Sequence, residues 1–182
     1  DVEALLAADK ARIDKAIAKR LPKGSEWHRD GGAELEPLLA HTDVIDAGWL
    51  LKLAKGEVMP ERKGVVPAWQ QLPPEATLDL ATLRKPTMHE MLPVAVLSYG
   101  WAAKHHPDPT GALLRRLRPV LEAMVGCCEY GSDGIGGECA AFGVVWDFLS
   151  LPQRGYTTGY SADEDDRTPY QLERFGKGLK GI

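Results

Sequence analysis

Two stretches of the sequence end in side chains that can hydrogen-bond to a small molecule or stack against one. Each stretch follows a short apolar run. Hydroxyls, a carboxylate and an amide offer donors and acceptors, and an indole offers a flat surface for a ring. The six candidate binding residues are Ser98, Tyr99, Trp101, Asp147, Ser150 and Gln153. This set predicts non-covalent recognition of a small polar ligand.

The elements that must position these side chains are two strands and the helix between them. Residues 93–99 and 142–148 are mostly apolar, which is typical of strands buried on both faces of a parallel sheet. An amphipathic helix over about 110–125 completes a β-α-β unit, so both strands end at the same edge. We therefore predict one crevice there. In the structural alternative, Asp147 and Ser150 only cap turns and Trp101 only closes the core.

The loop after the first strand contributes His105 and Asp108 as candidates for the crevice border. Two adjacent histidines without a third ligand do not make a zinc site, so no metal is predicted. The glycine-rich residues 131–137 precede a strand, whereas a phosphate-binding loop opens a helix. No serine lies on a nucleophile elbow and no cysteine has an assignable base, so no catalytic residue is predicted.

Composition excludes several classes of protein. The 182 residues carry a net charge of −4, and a nucleic-acid surface needs a basic face, so no nucleic-acid partner is predicted. No apolar run is long enough to span a membrane and no basic leader is visible, so no membrane partner is predicted. Three cysteines are too few for a disulfide scaffold, which favours a cytoplasmic location.

The chain divides into two parts of different character. Residues 1–91 are predicted to form a helical and Pro-rich extension that is not an independent domain, with helices over 1–21, about 33–40 and about 46–55. Residues 92–182 are predicted to form an α/β core. Thr168 and Pro169 open its last helix as cap and first residue. With no initiator Met and a helical pattern up to the last residue, we expect the sequence to be a fragment that is open at both ends, with the core truncated at its C-terminus.

The two stretches together resemble the heterokaryon-incompatibility domain. Residues 97–101 (LSYGW) resemble that family's "LSYxWG" strand, and residues 144–153 (VVWDFLSLPQ) resemble its "WxDxxCxxQ" strand. Ser150 stands where the family has a cysteine, and Ala102 where it has a glycine. The family is similar to TIR domains, so the resemblance implies a TIR-like, flavodoxin-like parallel sheet over residues 92–182.

Three alternative functions are expected: the resemblance implies the first two, and the polar side chains at the strand ends favour the third. The first is a signalling or assembly module of a larger self-recognition or stress-response protein, acting on protein partners or by self-association. The second is an enzyme that cleaves NAD, as some TIR domains do, although no segment matches the helix that carries their catalytic glutamate. The third is a domain that binds NAD or another nucleotide as a ligand. No tightly bound cofactor is expected, and whether the chain is an enzyme stays open.

Overall fold

Four short strands from both halves of the chain form one sheet in the computed structural model of this protein. The structure describes residues 25–85, 92–98, 100–129, 141–157 and 165–180. The strands are β1 (Val44–Asp46), β2 (Thr77–Leu78), β3 (Val94–Leu97) and β4 (Gly143–Trp146). The helices are α1 (Ser25–Arg29), α2 (Gly32–Leu39), α3 (Ala47–Lys55), α4 (Leu80–Leu83), α5 (Ala112–Glu129), α6 (Asp147–Ser150) and α7 (Pro169–Leu179).

The sheet is mixed, with the strand order β2-β1-β4-β3. β3 and β4 are parallel neighbours, with Val94 opposite Gly143 and Leu97 opposite Trp146. β1 lies antiparallel to both β2 and β4. The predicted α/β class and the predicted parallel pair are confirmed. The described sheet is not parallel throughout, because β1 and β2 enter it from the Pro-rich half.

The two parallel strands differ in burial. Every residue of β4 is buried, since β4 has a neighbour on each side. β3 forms the edge of the sheet, and its Val96 is 51% exposed. The prediction that β3 is buried on both faces is therefore wrong, because an apolar run alone does not distinguish an edge strand from a central one.

The core lies on both faces of the sheet because side chains alternate along β4. Val144 and Trp146 face α3 and α5 in the larger cluster. Val145 faces the opposite way and packs with Trp27 and Leu83. The strand ends and the loops that follow them are thus held from both sides.

Helices α3 and α5 follow their sequence signals. The Asp46 carboxylate accepts the Gly48 N–H at 2.8 Å and caps α3, and Gly56 ends it with φ of 75°. The helix predicted over about 110–125 is α5, which runs to Glu129 with Pro119 inside it.

Helix α7 begins as predicted. The Thr168 hydroxyl accepts the Gln171 N–H at 3.2 Å, the Gln171 side chain accepts the Thr168 N–H at 2.9 Å, and Pro169 is the first helical residue. The helical spacing of Leu172, Phe175 and Leu179 predicts one inward face, but Leu172 is 44% exposed and Leu179 is 53% exposed, so that prediction is wrong.

The sheet crosses the predicted boundary between residues 91 and 92, since β1 and β2 precede it. Whether residues 1–91 fold alone stays a prediction. The predicted helix over 1–21, Tyr99 and the glycine-rich residues 131–137 lie outside the described residues. Within the ranges that the structure describes, no helix has the length and apolar character needed to cross a membrane.

Candidate functional site

A pocket of about 250 Å³ opens beside the loops that follow β3 and β4. Its lining combines three aromatic rings, three cationic side chains, one imidazole and one amide. These residues are Trp101, Tyr156, Phe175, Lys104, Arg154, Arg167, His105 and Gln153. Of the predicted site residues, the structure therefore brings Trp101, His105 and Gln153 to one pocket.

One wall of the pocket is the loop between β3 and α5. The Ala102 N–H donates to the Pro107 carbonyl at 3.0 Å, and Ala103 and His106 pair across the turn, so the loop folds back on itself. Trp101 is fixed by donation from its Nε1 to an Asp147 oxygen at 2.9 Å. The turn carries Lys104 and His105 at its tip, where both reach the pocket.

His106 attaches this loop to the body of the protein. Its Nδ1 accepts the Asp108 N–H at 2.9 Å, so the ring proton must lie on Nε2, which donates to the Val66 carbonyl at 3.1 Å. Its ring also packs on Phe148, with centroids 4.6 Å apart. Burial lowers the pKa of His106 below its usual value, more than the nearby Asp108 charge raises it. The two hydrogen bonds and the lowered pKa are both consistent with a neutral imidazole at position 106.

Asp108 is buried at 2% exposure and does not border the pocket. Its carboxylate accepts the Leu114 N–H at 2.9 Å and so satisfies a donor in the first turn of α5. Of the two candidates for the crevice border, only His105 lines the pocket.

Asp147 and Ser150 stabilise the short helix α6 and do not belong to the pocket lining. Asp147 accepts the Phe148 N–H at 2.7 Å with one oxygen and the Trp101 indole with the other. Ser150 is fully buried, and its hydroxyl accepts the Trp146 N–H at 2.9 Å. Ser98 is exposed and likewise lies outside the lining.

Gln153 is held from two sides. The side chain of Gln70, in the Pro-rich segment, pairs with the backbone of Gln153. The Gln153 N–H donates to Gln70 Oε1 at 3.1 Å, and Gln70 Nε2 donates to the Gln153 carbonyl. Gln153 Nε2 in turn donates to the carbonyls of Asp147 at 3.0 Å and Leu151 at 2.8 Å. No sequence signal indicated Gln70.

The opposite wall of the pocket is held in place by three consecutive residues that precede α7, Asp165, Asp166 and Arg167. Asp166 accepts the N–H groups of Gly155 and Thr157 at 2.6 and 2.7 Å and fixes the turn beside Tyr156. Arg167 lies over the Phe175 ring at 4.4 Å and donates to both oxygens of Asp165. Those hydrogen bonds lower the pKa of Asp165. Five lining residues carry no sequence signal that predicts a site: Lys104, Arg154, Tyr156, Arg167 and Phe175.

The lining can hold an anionic group beside a flat ring. Cationic side chains favour phosphate or carboxylate groups, and aromatic faces favour rings. Among the described residues, the lining contains no carboxylate, and no group of three metal-binding side chains occurs.

No family model, curated protein or solved structure matches this chain. The resemblance to the heterokaryon-incompatibility domain stays a prediction that rests on residues 97–101 and 144–153. The pocket accordingly has to be interpreted from its own chemistry.

A second surface lies between the edge strand β3 and helix α5. It is an apolar groove of about 210 Å³, which we call the β3–α5 groove. Its lining includes Val96, Leu97, Leu117, Val120 and Met124. Val96 is 51% exposed and Val120 is 52% exposed, although both are large apolar residues.

Proposed function

We propose that the pocket binds a small anionic ligand that carries an aromatic ring, such as a nucleoside monophosphate. The observation that carries the proposal is the meeting of three rings with Lys104 and Arg154 beside the loops that follow two parallel strands. Arg167 adds a third cation, which is paired with Asp165. Ligands of open α/β sheets bind outside these strand ends. This is the nucleotide-binding alternative of the sequence analysis.

The size of the pocket limits the ligand. A volume of about 250 Å³ lies just below the roughly 300 Å³ at which pockets for drug-sized ligands begin. One ring and its charged group match this volume better than a whole dinucleotide such as NAD. Cleavage of NAD has less support, because glycosidic cleavage uses carboxylates and the described lining has none.

Calorimetric titration of the whole chain with AMP tests the proposal. We expect saturable binding that weakens with added salt, since part of the attraction is between charges. Lys104→Gln removes a cation of the lining and should weaken binding about fivefold or more. The matched control is Lys52→Gln, at an exposed position of α3 outside the pocket. Absence of saturation at millimolar AMP, or equal effects of the two variants, would contradict the proposal.

The resemblance to heterokaryon-incompatibility and TIR-like domains supports placing this pocket in a signalling module of the cytoplasm. In such a module, binding of the ligand to the pocket would be the signal. The same proposal includes a flavodoxin-like arrangement of the sheet. A thermal melt with and without AMP adds a second readout, because a ligand of the native state raises the melting temperature.

A second candidate function is assembly through the β3–α5 groove. It is favoured by one observation: the edge strand and Val120 of α5 expose apolar surface where a soluble monomer usually has charges. Sedimentation velocity over a range of concentrations tests self-association. We expect a concentration-dependent oligomer that Val120→Asp abolishes. Ala112→Asp, at the exposed start of the same helix and two turns away from Val120, is the control. A monomer at every concentration would rule out self-association.

A further inference from the structure

The side-chain amide of Gln153 has a fixed orientation in the wall of the pocket. Its Nε2 has two hydrogens, and both are used, one on the Asp147 carbonyl and one on the Leu151 carbonyl. Rotating the amide by half a turn would set an oxygen against two carbonyl oxygens, so the observed orientation is the only one that forms these bonds.

The remaining polar atom, Gln153 Oε1, has no hydrogen-bond partner within the part of the chain that the structure describes. The residue is only 7% exposed, yet it lines the pocket. Because the two hydrogens are engaged with the protein, the amide can offer a ligand an acceptor and no donor.

We propose that Gln153 determines ligand specificity by requiring a hydrogen-bond donor on the ring of the ligand, such as an exocyclic amino group. This inference rests on the proposed function. A ring without such a donor leaves Oε1 unpaired and desolvated, which costs affinity. A cationic pocket alone would select only for charge, whereas this acceptor distinguishes between rings of equal charge.

The test compares AMP with purine riboside 5′-monophosphate, which has a hydrogen in place of the 6-amino group. Both carry the same phosphate and ribose, so the cations act equally on both. We expect the second ligand to bind the wild-type chain about tenfold more weakly, within a range of roughly 5- to 150-fold. Equal affinities would overturn the specificity inference and leave the proposed function standing. If neither ligand binds, the proposed function itself fails.

Gln153→Leu provides the second arm, and its readout is the ratio of the two affinities. Leucine removes the acceptor, so the ratio should fall to about one even if both affinities decrease. A ratio that stays near its wild-type value would overturn the assignment to Gln153. Circular dichroism first establishes that the variant is folded, because leucine also removes the two bonds to the carbonyls. If the Gln153→Leu variant is not folded, the comparison of the two ligands on the wild-type chain tests the inference by itself.

Discussion

Replacing Ser150 by alanine separates its structural role from the ligand-binding role that the sequence suggested. The hydroxyl is fully buried and accepts the Trp146 N–H at 2.9 Å. Alanine removes this acceptor and breaks a buried hydrogen bond at the junction of β4 and α6. Losing such a bond costs about 0.5–1.5 kcal/mol. We therefore expect the free energy of unfolding to fall by that amount while the affinity for AMP stays unchanged.

Urea unfolding followed by circular dichroism measures this loss, and calorimetry measures the affinity. The slope against urea should not change, because the exposed area is the same in both proteins. Ser98→Ala is the matched control: it removes the same atom from an exposed serine and should change stability by less than about 0.5 kcal/mol. Unchanged stability of Ser150→Ala, or weaker AMP binding at unchanged stability, would refute the reasoning.

Three further predictions concern the loop, the pH and the fragment. Asp147→Ala releases the Trp101 indole and should lower both stability, by about 1–3 kcal/mol, and AMP affinity; a change in only one of them would contradict a shared role. The pKa of His106 is lowered from 6.5, so the native state favours the neutral imidazole. The free energy of unfolding should therefore be highest above pH 6.5 and should fall as the pH falls below 6.5, because the unfolded state then binds the proton more readily. His106→Gln should flatten this dependence in urea titrations at several pH values; an unchanged dependence would contradict the assignment to His106. Residues 1–91 expressed alone should melt without cooperativity, because the central strand β4 is absent; a sharp two-state melt would show the opposite.

Part of the fold could be predicted because its signals are local. The parallel pair of β3 and β4 is defined by two apolar runs with a helix between them, and Thr168 with Pro169 marks the start of α7. The strands β1 and β2 have only 3 and 2 residues, too few to show a periodic pattern. Their place in the sheet depends on contacts such as Ile45 with Val144, which are distant in sequence.

The candidate site could be predicted less completely, for a physical reason. A hydroxyl or carboxylate at a strand end can face a ligand or turn back to a nearby N–H, and the sequence alone does not decide between these. The Ser150 hydroxyl and the Asp108 carboxylate both accept hydrogen bonds from nearby backbone N–H groups. The other wall of the pocket depends on Asp166, whose carboxylate reaches N–H groups about ten residues away. Residue type and local spacing carry no signal of that contact.

The order of the strands has a consequence for the synthesis of the protein. β1 lies between β2 and β4, and its contact with β4 joins positions on the order of 100 residues apart, a long-range contact of the kind that slows folding. A ribosome adds roughly 5–20 residues per second, so β4 is synthesised about 5–20 s after β1. One edge of β1 stays unpaired during that interval and can pair with other chains. Translation must therefore pass Gly143–Trp146 before the sheet can close, and a ribosome stalled earlier displays a chain prone to aggregation.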